Sequence, residues 1–138
     1  MNRPEDLVTA YAVAVDARDW AALAALFTED AVLATPDPPR SLDPVVESRG
    51  PDAIVATVRP VSAFARTLHQ VDETSWAVDG TVATGRTTGE AHHVVDGPEP
   101  HAWVWVVEYA DEAVLTEAGW QFSRRALTVR AIERRPLG

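Results

Sequence analysis

The sequence predicts an α+β fold: a cone-shaped barrel of a strongly curved, mainly antiparallel sheet, with N-terminal helices covering its cavity. Three observations predict it. Apolar residues recur at helical spacing from Leu7 to Val15 and again from Ile54 to Val61. From Arg66 onward the chain turns into long strand-like segments, separated by the turn signals Asp79-Gly80 and Asp96-Gly97-Pro98. Helices followed by a meander of strands is the layout in which helices gather on one face of an antiparallel sheet. A strongly curved sheet covered in this way encloses a hollow, a natural site for a small molecule.

The elements follow in order. Pro4 suits the first turn of a helix, with Glu5 and Asp6 favourable to its dipole. Leu7, Val8, Tyr11 and Val15 form its apolar stripe, and Asp16 lies about 100° round from Val15, at the stripe's edge. Asp19 reads as the N-cap of a second short helix whose buried face is Trp20, Leu23, Leu26 and Phe27. Thr28-Glu29-Asp30 ends it, and Ala31 to Ala34 is a short strand. Residues 35–49 read as irregular, because Pro36, Pro38, Pro39 and Pro44 exclude a helix or a central strand. So long a connection suggests a lid or a dimer contact near the mouth of the cone, or simply a solvated loop. Gly50-Pro51-Asp52 opens a third helix that Pro60 kinks or divides. Four strands complete the chain: Arg66 to Val78, Thr81 to Val95, His101 to Asp111 and Trp120 to Glu133, with a frayed tail after them.

A length of 138 residues fits one domain, spanning 1–138, and is enough to bury a core. All twelve basic residues are arginine, and lysine and cysteine are both absent. A lysine Schiff base, cysteine nucleophiles, disulfides and thiolate metal sites are therefore excluded. Acidic residues outnumber basic ones, for a net charge of −9. That balance argues against nucleic acid and against anionic membranes. No apolar run approaches the roughly 20 residues of a membrane span, and the N-terminus does not read as a signal peptide, so a cytoplasmic protein is expected.

Several segments together resemble a known family. They are Tyr11-Ala-Val-Ala-Val-Asp16-Ala-Arg-Asp19-Trp20, Leu26-Phe27-Thr28-Glu29-Asp30-Ala31, Arg49-Gly50-Pro51-Asp52-Ala53-Ile54, Thr67-Leu68-His69, Ala91-His92-His93, and Gly119-Trp120-Gln121-Phe122 with Arg125. In this order they resemble SnoaL-like proteins of the nuclear transport factor 2-like superfamily. The resemblance implies the α+β cone, often dimeric through its sheet. The superfamily holds polyketide cyclases, scytalone dehydratase, ketosteroid isomerase, limonene epoxide hydrolase and hexachlorocyclohexane dehydrochlorinase, besides binding proteins and structural subunits. Function must therefore be argued from the site.

In the elimination enzymes of this group an aspartate at the end of the first helix pairs with a histidine on the first long strand. The matching positions are Asp16 and His69. Such a pair is chemically apt: a carboxylate on Nδ1 fixes the tautomer and leaves Nε2 as a base working near neutral pH. Candidates to bind the substrate or an oxyanion are Tyr11, His93, Arg125 and Trp103. Tyr11 matches an oxyanion-hole tyrosine of ketosteroid isomerase but also lies in the apolar stripe. His92 and His93 are adjacent on a strand, so they face opposite ways. His93 shares parity with Gly85, Gly89 and Ala91 and is taken as the cavity-facing one. Arg125 either binds a substrate oxygen or pairs with a carboxylate. The base position of ketosteroid isomerase falls near Thr35-Pro36, without a carboxylate in register, and the Asp-Arg-Asp set of limonene epoxide hydrolase has no match. The expected function is a cofactor-independent lyase or isomerase, of dehydratase or cyclase type, acting on an apolar oxygenated small molecule. The alternative is a binding protein or structural subunit of the same fold. No metal or cofactor is implied, and a homodimer is expected.

Overall fold

The computed structural model describes residues 1–138. Helix α1 runs Asp6–Ala17, α2 Trp20–Ala24 and α3 Pro51–Val58, the last continuing into a 3₁₀ turn, Arg59–Ala63. The strands are β1 Phe27–Asp37, β2 Ser41–Arg49, β3 Arg66–Asp79, β4 Val82–Val95, β5 His101–Thr116 and β6 Gly119–Pro136. They form one sheet in the order β2-β1-β6-β5-β4-β3. Every neighbouring pair is antiparallel except β1 with β6. The predicted α+β cone is present, with one qualification. The sheet does not close into a barrel, because β2 and β3 remain as two edges.

The local chemistry explains the elements. Asp19 caps α2 by accepting from the Ala22 N–H at 3.1 Å. Helix α1 ends where Arg18 takes φ 56°, and its Nη2 donates to the Phe64 carbonyl at 2.5 Å. Pro51 opens α3 at the first turn, and Pro60 separates it from the 3₁₀ turn, as the proline positions predict.

Three expectations need correction. Residues 35–49 are a hairpin rather than an irregular loop: β1 extends to Asp37, and β2 pairs with it from Val32↔Arg49 to Asp37↔Ser41. The prolines permit this because Pro44 lies on the edge strand β2, Pro36 falls at the register shift of β1 between Thr35 and Asp37, and Pro38 and Pro39 lie in the turn between the strands. Leu26 and Phe27 are buried as expected, yet they lie beyond α2, and Phe27 opens β1. The tail is not frayed before its last two residues, since Arg134 and Arg135 pair with Trp103 and Ala102. No helix is long and apolar enough to cross a membrane.

The inner face of the sheet carries the core. Along β4, Ala83, Gly85, Thr87, Gly89, Ala91 and His93 are buried, while Thr84, Arg86 and Thr88 between them are exposed. This is the two-residue alternation of a sheet covered on one side. Helix α1 lies across that face against β3 and β6, and its Leu7, Tyr11 and Val15 join Leu33, Phe27 and Phe122 in the main cluster. Small residues on β4 make room for what packs over them. A Cβ at Gly85 would lie 2.3 Å from the Trp76 ring, and one at Gly89 would lie 2.1 Å from the Gln70 carbonyl oxygen. The second contact is with backbone, beside a bulge between Val71 and Glu73. Gly89→Ala is therefore expected to destabilise the protein by about 1–3 kcal/mol in urea unfolding, because a strand must move to admit one methyl group.

Candidate active site

Asp16 occupies the last turn of α1, at the edge of the apolar stripe, and its carboxylate reaches across to β3. Strand β3 is an edge, with no strand on its outer side. Asp16 Oδ2 accepts from the His69 backbone N–H at 2.8 Å. Its Oδ1 accepts from Thr67 Oγ1 at 3.1 Å and meets His69 Nδ1 at 2.7 Å. Thr67 and His69 are two apart, so both side chains face α1. Burial by itself raises the Asp16 pKa, but the hydrogen bonds from His69 and Thr67 more than offset it, and the carboxyl is held below its ordinary value. With a carboxylate accepting at Nδ1, neutral His69 keeps its hydrogen there and its lone pair on Nε2.

His69 lines a cavity of about 250 Å³ between α1, α3 and the inner face of the sheet. The walls are mostly apolar, among them Val15, Leu33, Val58, Trp105, Val107 and Leu127. Thr35 and Pro36 of the β1–β2 hairpin contribute to them. Apart from the two histidines, no ionisable side chain but tyrosine lines it. A wider hollow of about 590 Å³, open to solvent beside Arg86, Glu112 and Arg124, is lined by neither Asp16 nor His69.

His93 also faces the cavity, packed between Phe64 and Trp105, with its ring centroid 6.5 Å from that of His69. Its Nδ1 lies 3.1 Å from the Trp103 carbonyl oxygen. A carbonyl only accepts, so Nδ1 carries the hydrogen and Nε2 presents a lone pair. Burial holds the His93 pKa below 6.5, and repulsion from His69 and His92 adds to this against the opposing carbonyl contact. Neutral His93 thus presents an acceptor toward the cavity. His92 points the other way, to Glu90 at 3.0 Å. No group of three or more His, Cys, Asp or Glu side chains is gathered where it could hold a metal ion.

The remaining expected residues divide. Tyr11 lines the cavity and is 6% exposed. Trp103 does not line it: its side chain is 39% exposed and stands edge-on to His101. Trp105, two residues on, takes the lining place. Arg125 is 1% exposed and lies behind the cavity wall, with Nε 3.2 Å from Asp111 Oδ1. That contact is close enough for an ion pair but poorly directed, and neither atom makes a hydrogen bond. The guanidinium is boxed by aromatic faces, 3.7 Å from the Tyr109 centroid, 4.3 Å from Tyr11 and 4.9 Å from Phe122. Burial pushes the Asp111 carboxyl up to about 6, against the pull of Arg125. Sequence reasoning missed Asp111 and Tyr109. Their signal was the parity of Trp105, Val107, Tyr109 and Asp111 along one strand.

Comparison with known proteins agrees with this architecture. A SnoaL-like domain model matches residues 5–126. The chain belongs to the SnoaL-like family. No curated protein matches it in sequence. Among solved structures, this SnoaL-like protein is similar to a candidate scytalone dehydratase from Novosphingobium aromaticivorans, at 25% identity and a TM-score of 0.79 over 94% of this chain and 83% of that one. It is also similar to the Kfla4162 protein of Kribbella flavida, at 25% identity and a TM-score of 0.78 over 93% and 88% of the two chains. A hexachlorocyclohexane dehydrochlorinase from Novosphingobium barchaimii shares the fold, with 19% identity and a TM-score of 0.74 over 97% and 87%.

Two predictions follow from the charges. Asp16 is the stronger acid in the folded state, so its stabilisation is complete above about pH 5 and is lost as the pH falls through its lowered value. His93 is the weaker base in the folded state, so its contribution is complete above 6.5 and declines as the pH falls through its own lowered value. Unfolding free energy measured against pH should therefore fall on acidification in two steps. His93→Gln should remove the upper step and Asp16→Asn the lower. For the buried pair, Arg125→Met alone should cost about 3–5 kcal/mol by stranding Asp111. The double change Asp111→Leu/Arg125→Met should recover most of that loss in the same unfolding assay.

Proposed function

We propose that this SnoaL-like protein is a cofactor-independent lyase or isomerase acting on an apolar, oxygenated small molecule. The observation that carries the reading is the 2.7 Å contact of His69 Nδ1 with Asp16, which leaves Nε2 free on a residue lining an apolar cavity. In the proposed reaction, Nε2 takes a proton from a carbon next to a carbonyl group. The electron pair of that C–H bond forms the C=C bond of an enolate, and the carbonyl oxygen takes the negative charge. Asp16 stabilises the imidazolium that results. In a dehydration, the enolate then expels the β-hydroxyl with its bonding pair while the imidazolium returns its proton, so water leaves and the base is restored. In an isomerisation, the proton returns to another carbon. The Tyr11 hydroxyl is the expected donor to the enolate oxygen, and the His93 lone pair suits a hydroxyl of the substrate.

Similarity in fold to proteins named as a dehydratase and a dehydrochlorinase favours an elimination. The apolar lining favours an uncharged ring system, since a carboxylate or phosphate would find no fixed cation there.

Exchange of the α-protons of 2-tetralone in D₂O, followed by NMR, tests the proton abstraction without the natural substrate. The wild type should accelerate exchange, His69→Ala should lose about 10²–10⁴-fold, and Asp16→Asn should retain only part of the rate. Equal exchange in wild type and His69→Ala would sink the reading.

A further inference from the structure

Two hydroxyls in the cavity wall have no use inside the protein. Tyr11 and Tyr109 are 6% and 7% exposed, and neither hydroxyl makes a hydrogen bond to any protein group. Neither is among the fully enclosed polar atoms that lack partners, which are confined to Asp111 and Arg125. Both rings line the cavity, with centroids 6.1 Å apart. With no protein acceptor and with both residues lining one cavity, the two hydroxyls are open to it and free to donate to an oxygen of the ligand. Burial raises the pKa of both tyrosines, which keeps them protonated and able to donate.

Behind them sits a single cation. The Arg125 guanidinium lies 3.7 Å from the Tyr109 ring centroid and 4.3 Å from that of Tyr11. A cation against the face of a phenol ring draws on its π density and strengthens its O–H as a donor. The same positive field favours negative charge arriving at the oxygen that the hydroxyl meets, and does so strongly where water is excluded. Asp111 holds the guanidinium from the other side, at Nε. Arg125 is thus placed to act through the tyrosines, without reaching the ligand.

We propose that Tyr109 joins Tyr11 as a pair of hydroxyl donors to the ligand's oxygen, and that Arg125, stacked on both rings, is the positioning residue that strengthens them. The inference rests on the proton-abstraction reading above, because an enolate oxygen is what such a pair would hold. Tyr11 lies edge-on to the His69 ring at 6.4 Å, so donor and base border the same end of the cavity.

Binding of 4-nitrophenolate, read by its absorbance, tests the donors without turnover, with 4-nitroanisole as a probe of equal shape that carries no charge. The wild type should prefer the phenolate. Tyr109→Phe keeps the ring over Arg125 and should cut that preference about tenfold, as should Tyr11→Phe. Binding of 4-nitroanisole should stay within about twofold, a result that a merely structural role for either hydroxyl would not give. The double change Asp111→Leu/Arg125→Met removes the cation with both tyrosines in place and should weaken the preference about threefold to tenfold. His69→Ala should keep the preference while losing proton exchange, which separates the donors from the base. No preference in the wild type, an unchanged preference in Tyr109→Phe, or its loss in His69→Ala would each overturn the proposal. An unchanged preference in the double variant would overturn the part assigned to Arg125.

Discussion

Three hydrogen bonds converge on the Asp16 carboxylate, and the arrangement of the site depends on them. One comes from the backbone of an edge strand, one from Thr67 and one from the His69 ring. The backbone bond fixes the end of α1 against β3. The ring bond fixes the tautomer of the histidine. Because one carboxylate does both, the position of the helix and the state of the base are set together. A helix end that slipped by one residue would lose the anchor and the base at once.

A second constraint lies deeper. An arginine and an aspartate are buried side by side without well-directed hydrogen bonds between them, which adds little or nothing to stability. Aromatic rings compensate in part, since a guanidinium stacks favourably on tyrosine faces. The arrangement puts positive charge close behind two cavity-lining hydroxyls and keeps it off the cavity surface. The cavity therefore remains apolar in its lining while carrying an oriented field, a combination suited to charge that develops during a reaction on a neutral molecule.

The sequence was misleading where a local rule met an exception in the tertiary structure. Four prolines in residues 35–49 argue against a central strand, yet Pro44 falls on the edge strand β2, Pro36 at a register shift of β1, and Pro38 and Pro39 in the turn, all places where proline is tolerated. Trp103 and Trp105 share a strand face by parity, so alternation alone did not choose between them. Position along the strand did: Trp105 lies over the cavity beside His93, while Trp103 lies past its end, toward His101. For Arg125 the residue type suggested ligand binding or a carboxylate partner. Only packing revealed that Asp111 faces it and that it stacks on two tyrosine rings that line the cavity.

The sequence by itself determined the helix-then-sheet order, the hairpin turns, the inward parity of His93 and the family pattern that marks Asp16 and His69. These are properties of local periodicity, turn chemistry and motif spacing, which a linear chain carries openly. The tertiary structure decided the open edges of the sheet, the acceptor state of His93 and the burial of Arg125 between Asp111 and the tyrosines. It also singled out Tyr109 as bordering the cavity. Each of these depends on which side chains meet across residues far apart in the chain. Such meetings are set by the curvature of the sheet and the seating of α1, and no single segment encodes either.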